Sequence, residues 1–214
     1  MLKKIAAQIS EKELQEHLKA YCDYAKELGA TDAKVIPSRD VIVDERVLMK
    51  CTYPKCPCYG TCLNCPPYAM PPEQTQRVVN KYQYGVFVLV KSPIDVMVGE
   101  VPVKSPGVGN PYRRKLAEAV AKIEARAFYD GHHLALGFSG GTCKYLYCLN
   151  VECSGLVKGQ ACRNSMVARS SMEAVGMDAY RMAARVGWEV YPLGKTTQPA
   201  DAPHGVRLGL VMID

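Results

Sequence analysis

Nine of the ten cysteines of this chain fall into two short groups, and that distribution constrains the fold more than any other feature. The first group is Cys51, Cys56, Cys58, Cys62 and Cys65; the second is Cys143, Cys148, Cys153 and Cys162; only Cys22 stands apart. Thiolates are soft donors, and close clusters of them select zinc, copper(I) or iron–sulfur cores. A loop carrying four or more such donors takes its path from what it ligates, so both segments are expected to be irregular and anchored to rigid elements.

The 214 residues are 48% hydrophobic, enough for one sizeable core, and 22% charged, as in an ordinary globular domain. No run of about 18 apolar residues is present, so a membrane span is not expected. The N-terminus has Lys3-Lys4 but soon becomes the charged Glu11-Lys12-Glu13, without the apolar stretch of a signal peptide. A cytoplasmic location follows as an expectation, and there thiols stay reduced and serve metals rather than disulfides. The net charge is +6. Lys50, Lys55, Lys144 and Arg163 each lie within one residue of a grouped cysteine, and anionic thiolate clusters account for part of the excess. No motif interleaves aromatic with basic residues, which argues against a nucleic-acid partner.

Ser10 and Glu13 form a capping-box pattern opening a helix to Leu28, stopped by Gly29. Leu14, Leu18, Tyr21, Cys22, Ala25 and Leu28 make its apolar stripe, so Cys22 reads as a core thiol. Ala33–Ile36, Val41–Val43 and Val47–Met49 read as short strands leading into the first cysteine group. Pro66-Pro67 and Pro71-Pro72 exclude regular structure at its exit. A short helix is expected over Glu73–Tyr82 and a strand covered on both faces over Val86–Val90. Residues 98–110 read as a loop. Asn110-Pro111 opens a long helix to Asp130, and Leu134–Phe138 is a strand delivering the chain to Gly140-Gly141 and the second group. A helical turn at 172–174, a helix from Asp178 to Val186, and strands near Val190 and over Val206–Ile213 complete a mixed α/β, single-domain layer in which each group follows a strand.

The first group has the pattern Cys51-x4-Cys56-x-Cys58-x3-Cys62-x2-Cys65-Pro-Pro. Pro54, Pro57, Pro66 and Pro67 stiffen it, lowering the entropy cost of converging thiolates. A closing Cys-Pro resembles the end of bacterial ferredoxin cluster loops. Five sulfurs exceed the four a cubane uses, so one is spare or serves a second centre. The second group, Cys143-x4-Cys148-x4-Cys153-x8-Cys162, offers four thiolates after Gly140-Gly141, where backbone is expected to approach a cluster closely. Structural zinc uses two pairs of closely spaced ligands; only Cys62-x2-Cys65 is such a pair. Iron–sulfur is therefore preferred over zinc.

The string Cys56-x2-Tyr59-Gly60-x4-Cys65-Pro66-Pro67 resembles one half of a prokaryotic family of predicted metal-binding proteins, domain of unknown function 2284. The other half is Gly140-Gly141-x-Cys143, Cys162-Arg163, and Ala168-Arg169-x-Ser171-Met172-Glu173-Ala174-x-Gly176. The resemblance implies metal binding, with iron–sulfur clusters expected, in proteins common among anaerobes, and supplies no settled reaction. The family commonly has proline where this chain has Ser170, and Cys58 and Cys62 are additions to a sparser pattern of Cys51, Cys56 and Cys65.

His132 and His133 are adjacent and point in different directions; His17 reads as structural, and His204 lies in the loop from Pro199 to Gly205. Glu173 and Arg169 follow the second group and are placed to hydrogen-bond around it, or, for Ser171 and Glu173, to cap a helix. No phosphate loop, dinucleotide fingerprint or nucleophile–base pairing is readable. The expectation is an iron–sulfur protein with two clusters, of the four-iron type, passing electrons to or from a partner redox enzyme. An enzyme binding substrate at an open iron and a zinc-stabilised interaction module are the alternatives.

Overall fold

The computed structural model describes residues 5–6, 9–97, 111–194 and 196–214. The loop expected at 98–110 lies outside them. The organising element is strand β2 (Tyr84–Ser92), buried at every position from Gly85 to Val90. It is apolar throughout because side chains alternate between two faces and both are covered. Val86, Val88 and Val90 pack with helix α1 (Glu11–Glu27) and helix α4 (Pro111–Tyr129). Phe87 and Leu89 point the other way, against Met172, Val175, Met177 and Trp188. The four strands, β1 (Asp32–Pro37), β2, β3 (Leu136–Phe138) and β4 (Gly205–Ile213), form one antiparallel sheet of order β1-β2-β4-β3. Opposite α1 and α4 lie α3 (Pro72–Val79), α6 (Ala179–Arg185) and the turn Glu173–Val175. The fold is a mixed α/β layer, as the sequence implies.

Local chemistry explains where the elements begin. The Ser10 hydroxyl accepts from the Glu13 N–H at 3.2 Å, and the α1 stripe is buried as patterned, with Cys22 among it. Burial pushes the Cys22 thiol up to about 11, keeping it protonated. Two expected strands are not strands, a third, Val41–Val43, makes only an isolated bridge from Val43 to Met177, and a fourth is shorter than expected. Val47–Met49 belongs to helix α2 (Glu45–Thr52), because Asp44 accepts from the Arg46 N–H at 2.9 Å and starts a helix there. Leu134 is exposed, and Tyr82 donates to its carbonyl at 2.6 Å, so β3 starts only at Leu136. The alternation near Val190 comes from Trp188, which packs on Phe87 and donates to Asp32 at 2.8 Å, rather than from strand pairing. Pro72 opens α3 as its first residue, where a missing N–H costs nothing.

His132 is buried at the end of α4, with its Nε2 2.9 Å from Nδ1 of His17. Burial, and then His17, lower its pKa. The unfolded chain therefore takes up a proton below about pH 6.5 that the folded chain resists. Stability is full above that pH and falls as pH drops through it toward the lower folded value. The denaturant midpoint of the protein is expected to fall between pH 7 and pH 5.5, and to fall less steeply in His132→Gln. Equal slopes for the two would show that other groups carry the acid sensitivity.

Candidate metal centre

Both cysteine groups are held by short turns leaving helices or strands. Cys51 sits in the last turn of α2, so the first group follows a helix and not the expected strand. From there each thiol is set by a backbone turn: Cys56 N–H to Cys51 carbonyl (2.9 Å), Tyr59 to Cys56 (2.9 Å), Cys65 to Cys62 (3.1 Å). Gly60, with φ of 74°, donates to the Pro66 carbonyl at 2.7 Å and closes the loop on its rigid exit. The second group does follow a strand. Thr142 caps α5 (Cys143–Tyr147) by accepting from Lys144 N–H, and Cys148 comes one residue after the helix. Cys153 precedes the turn Ser154–Leu156, whose Ser154 hydroxyl accepts from Arg163 N–H at 3.0 Å and so positions neighbouring Cys162.

The fold brings the two groups together. Cys58, Cys62, Cys65, Cys143 and Cys153 pack in one buried cluster off the β3 side of the sheet, with Cys56, Tyr145 and Tyr147 at its margin. A cavity of about 230 Å³ is walled by the thiols of Cys143, Cys148, Cys153 and Cys162 and by Cys62 of the first group. Cys62 Sγ lies 3.9 Å from Cys143 Sγ. The Thr142 hydroxyl stands between the groups, 3.3 Å from Cys65 Sγ and 3.6 Å from Cys62 Sγ. Cys51, Cys56 and Cys58 form a second neighbourhood. Cys58 N–H points at Cys56 Sγ (3.5 Å), and Tyr145 bonds to Cys58.

Two amides serve the cavity sulfurs. Asn64 donates to Cys143 Sγ at 3.3 Å and Asn164 to Cys148 Sγ at 3.1 Å. Ser170 donates to Asn64 Oδ1 at 3.2 Å, fixing which end of that amide faces the sulfur. These asparagines escaped the sequence reading, although each lies within two residues of a cysteine. Shared protons polarise the thiols: Cys143 and Cys65 hydrogen-bond to Cys62, which lowers the Cys62 pKa and raises those of Cys143 and Cys65. Burial raises Cys51 and Cys58, the latter against hydrogen bonds from Tyr145 and Thr142.

Several expectations are refined by this geometry. Gly140 is small because a Cβ there would lie 3.0 Å from the Leu208 carbonyl oxygen of β4, not because of an approach to the thiols. Gly141 has φ of 73° and carries the Arg113 guanidinium over it, 3.3 Å from where a Cβ would stand. Arg169 pairs with Glu124 of α4 and donates to the Ser165 and Ala168 carbonyls, tying the segment after Cys162 to the core. Glu173 hydrogen-bonds at the entrance to the second group, and the Ser171 hydroxyl accepts from the Ala174 N–H at 3.1 Å. The Glu173 carboxylate accepts from the Ser171 hydroxyl and the Gly141 N–H and faces Arg113 and Cys51. Water reaches Glu173 through an open cleft, yet the surrounding protein still desolvates it enough to raise its pKa. His133 is exposed, and His204 packs edge-to-face on Tyr191, 5.6 Å between centroids.

Among the described residues, no three His, Cys, Asp or Glu side chains converge closely enough to hold a single metal ion. The thiols ring a volume instead. No described helix is long and apolar enough to cross a membrane. Comparison with curated proteins and with solved structures returned no match. A family model described as "Predicted metal-binding protein (DUF2284)" matches residues 34–213, which include both cysteine groups, both asparagines and the whole sheet apart from the first two residues of β1, and the chain belongs to that family.

Proposed function

We propose that the chain is a cytoplasmic iron–sulfur protein that carries two clusters of the four-iron type and exchanges electrons with a partner redox enzyme. The observation carrying this reading is the cavity of about 230 Å³ lined by five thiols. With zinc–sulfur bonds of about 2.3 Å, four thiolates on one zinc would crowd to within about 4 Å of one another; a polynuclear core is held by thiols set around a volume. The donor set fits. Cys143, Cys148, Cys153 and Cys162 would hold one cluster, with Cys62 a fifth thiol at its wall. Cys51, Cys56, Cys58 and Cys65 would hold the other. The bound clusters would supply one-electron transfer.

The protein's own residues set the conditions for that chemistry. Asn64 and Asn164 donate to sulfur and stabilise added negative charge, while buried packing excludes water. Cys51, Cys56 and Cys162 are only partly covered, which brings each thiol group near the surface. Leu63, Val151 and Met166 are exposed on segments around the cavity and give a partner apolar surface to meet. The zinc reading keeps one observation: the 3.9 Å separation of Cys62 and Cys143 matches one edge of a tetrahedral zinc site.

The test is reductive titration under anaerobic conditions. Dithionite should bleach the visible absorption and produce low-temperature EPR signals, and a viologen acceptor should reverse both. A spectrum unmoved by dithionite would contradict the reading. Asn64→Ala should lower the reduction potential of one cluster by roughly 40 mV, the equivalent of a net hydrogen bond of about 1 kcal/mol. Ser170→Ala should shift it in the same direction by less. A potential unchanged in both variants would show that the amide does not act on the cluster.

A further inference from the structure

The net charge of this chain is unevenly placed. Between Glu45 and Glu73 there is no acidic residue, and between Asp130 and Glu173 there is one, Glu152. These two segments hold all nine grouped cysteines and seven of the 27 basic residues. The remaining chain carries 20 basic and 20 acidic residues, so the whole excess of +6 resides on the cysteine segments. Two of the seven cations are matched by acids: Arg46 pairs with Asp44 at 2.6 Å, and Arg169 with Glu124. Lys50, Lys55, Lys158 and Arg163 are exposed, with no carboxylate paired to them among the described residues. Asn64 and Asn164, the amides that donate to the sulfurs, are neutral. The exposed ammonium and guanidinium heads stand in water, where screening weakens their hold on any buried anionic centre.

The two segments fold to one end of the molecule, since their thiols share one buried cluster. They also meet at the surface: Leu63 of the first fills the space that a Cβ on Gly155 of the second would need. Leu63, Val151 and Met166 are exposed there, Met166 by 78%. Partly exposed Cys162 lines the same cavity as Leu63. In the first segment Lys50 and Lys55 adjoin Cys51 and Cys56, the two partly exposed thiols of that group. An apolar centre containing Met with a charged rim is the make-up of a protein interface, and the rim charge steers an oppositely charged partner. Leu63, Val151 and Met166 are aliphatic and offer bases no stacking face, which favours a protein over a nucleic acid. Tyr53 and Tyr68 of the first segment are exposed and could stack bases, so nucleic acid is one arm of the test.

We infer that this end of the molecule docks a small acidic redox protein. Leu63, Val151 and Met166 form the apolar contact, and Lys50, Lys55, Lys158 and Arg163 meet carboxylates on the partner's surface. The inference rests on the electron-transfer reading and names the chemistry of the partner. One electron moves in the complex: a reduced cluster is oxidised and the partner's flavin or metal centre is reduced. Encounters of this kind bury little surface, so charge governs their affinity.

Calorimetric titration of the anaerobically purified, metal-loaded protein with flavodoxin, a small acidic flavoprotein, tests the surface whatever the two potentials are. Saturable binding is expected at about 20 mM salt, weakening about tenfold by about 200 mM. Lys55→Glu combined with Lys158→Glu should weaken it about tenfold at low salt, with iron content unchanged. Lys19→Glu combined with Lys122→Glu changes the net charge equally, at exposed positions on α1 and α4, and should leave affinity within about twofold. No saturable binding at low salt would overturn the inference, as would equal weakening by the two pairs. A single-stranded oligonucleotide or phosphatidylserine vesicles bound more tightly than flavodoxin would overturn it in favour of nucleic acid or a lipid surface. Should the Lys55→Glu, Lys158→Glu protein lose iron or fail to fold, the unaltered protein decides: cytochrome c, a basic haem protein, binding as tightly as flavodoxin at low salt counts against the inference. A protein that dithionite reduces and a viologen reoxidises, but that ignores flavodoxin, loses this inference alone. A redox-inert protein that binds flavodoxin with the stated salt dependence loses the electron-transfer reading and keeps the acidic-partner surface.

Discussion

Replacing Cys143 with serine is expected to have the largest effect of any single change. Its thiol is buried, walls the 230 Å³ cavity, bonds to Cys62 at 3.9 Å and accepts from Asn64 at 3.3 Å. It also begins α5, so the helix is anchored through it. Metal binding and folding are coupled where the donors have no fixed arrangement without the metal. About half of the bound iron should be lost. The melting temperature should fall by roughly 10 °C, since a chain of this size loses about 2–4 °C per kcal/mol. Cys153→Ser should behave similarly, being equally buried at the same cavity. Cys22→Ser should leave iron content unchanged, because that thiol packs between α1 and the sheet. Full iron in Cys143→Ser would remove the second centre as drawn.

The second large effect separates Cys58 from Cys62, which sequence alone leaves equivalent. The spacing says only that five thiols compete where four are used. In the fold Cys62 turns to the opposite cavity and meets Cys143, while Cys58 stays with Cys56 and Tyr145. Cys58→Ser and Cys65→Ser are therefore expected to abolish the first cluster's EPR signal. Cys62→Ser should retain both clusters and only perturb the second. Loss of the first signal in Cys62→Ser, with Cys58→Ser intact, would reverse the assignment.

These cases show what the sequence can and cannot carry. The helices α1 and α4 and the strand β2 were legible because burial on one stripe or on two faces leaves a periodic record in the residues themselves. The nine thiols were legible because their chemistry is local. Their cross-pairing was not. Cys62 and Cys143 are 81 positions apart and meet only in the fold, where the Thr142 hydroxyl reaches Cys62 and Cys65 and Ser170 donates to Asn64. Asn64 was invisible as a donor for the same reason, since it serves a sulfur of the other group. Glu173 was legible as a neighbour of the second group, where it accepts from the Gly141 N–H, but its position facing Cys51 of the first group was not. The short strands at Val47 and Val190 failed where a cap and a docked tryptophan outweighed β-branched composition.

The central claim is that nine thiols hold two polynuclear iron–sulfur cores rather than single zinc ions, and quantifying iron, acid-labile sulfide and zinc on one anaerobically purified sample tests it most directly. About eight iron and eight sulfide per chain, with zinc near zero, is the predicted result for two four-iron clusters. A colourless, folded protein containing stoichiometric zinc and no sulfide would contradict it.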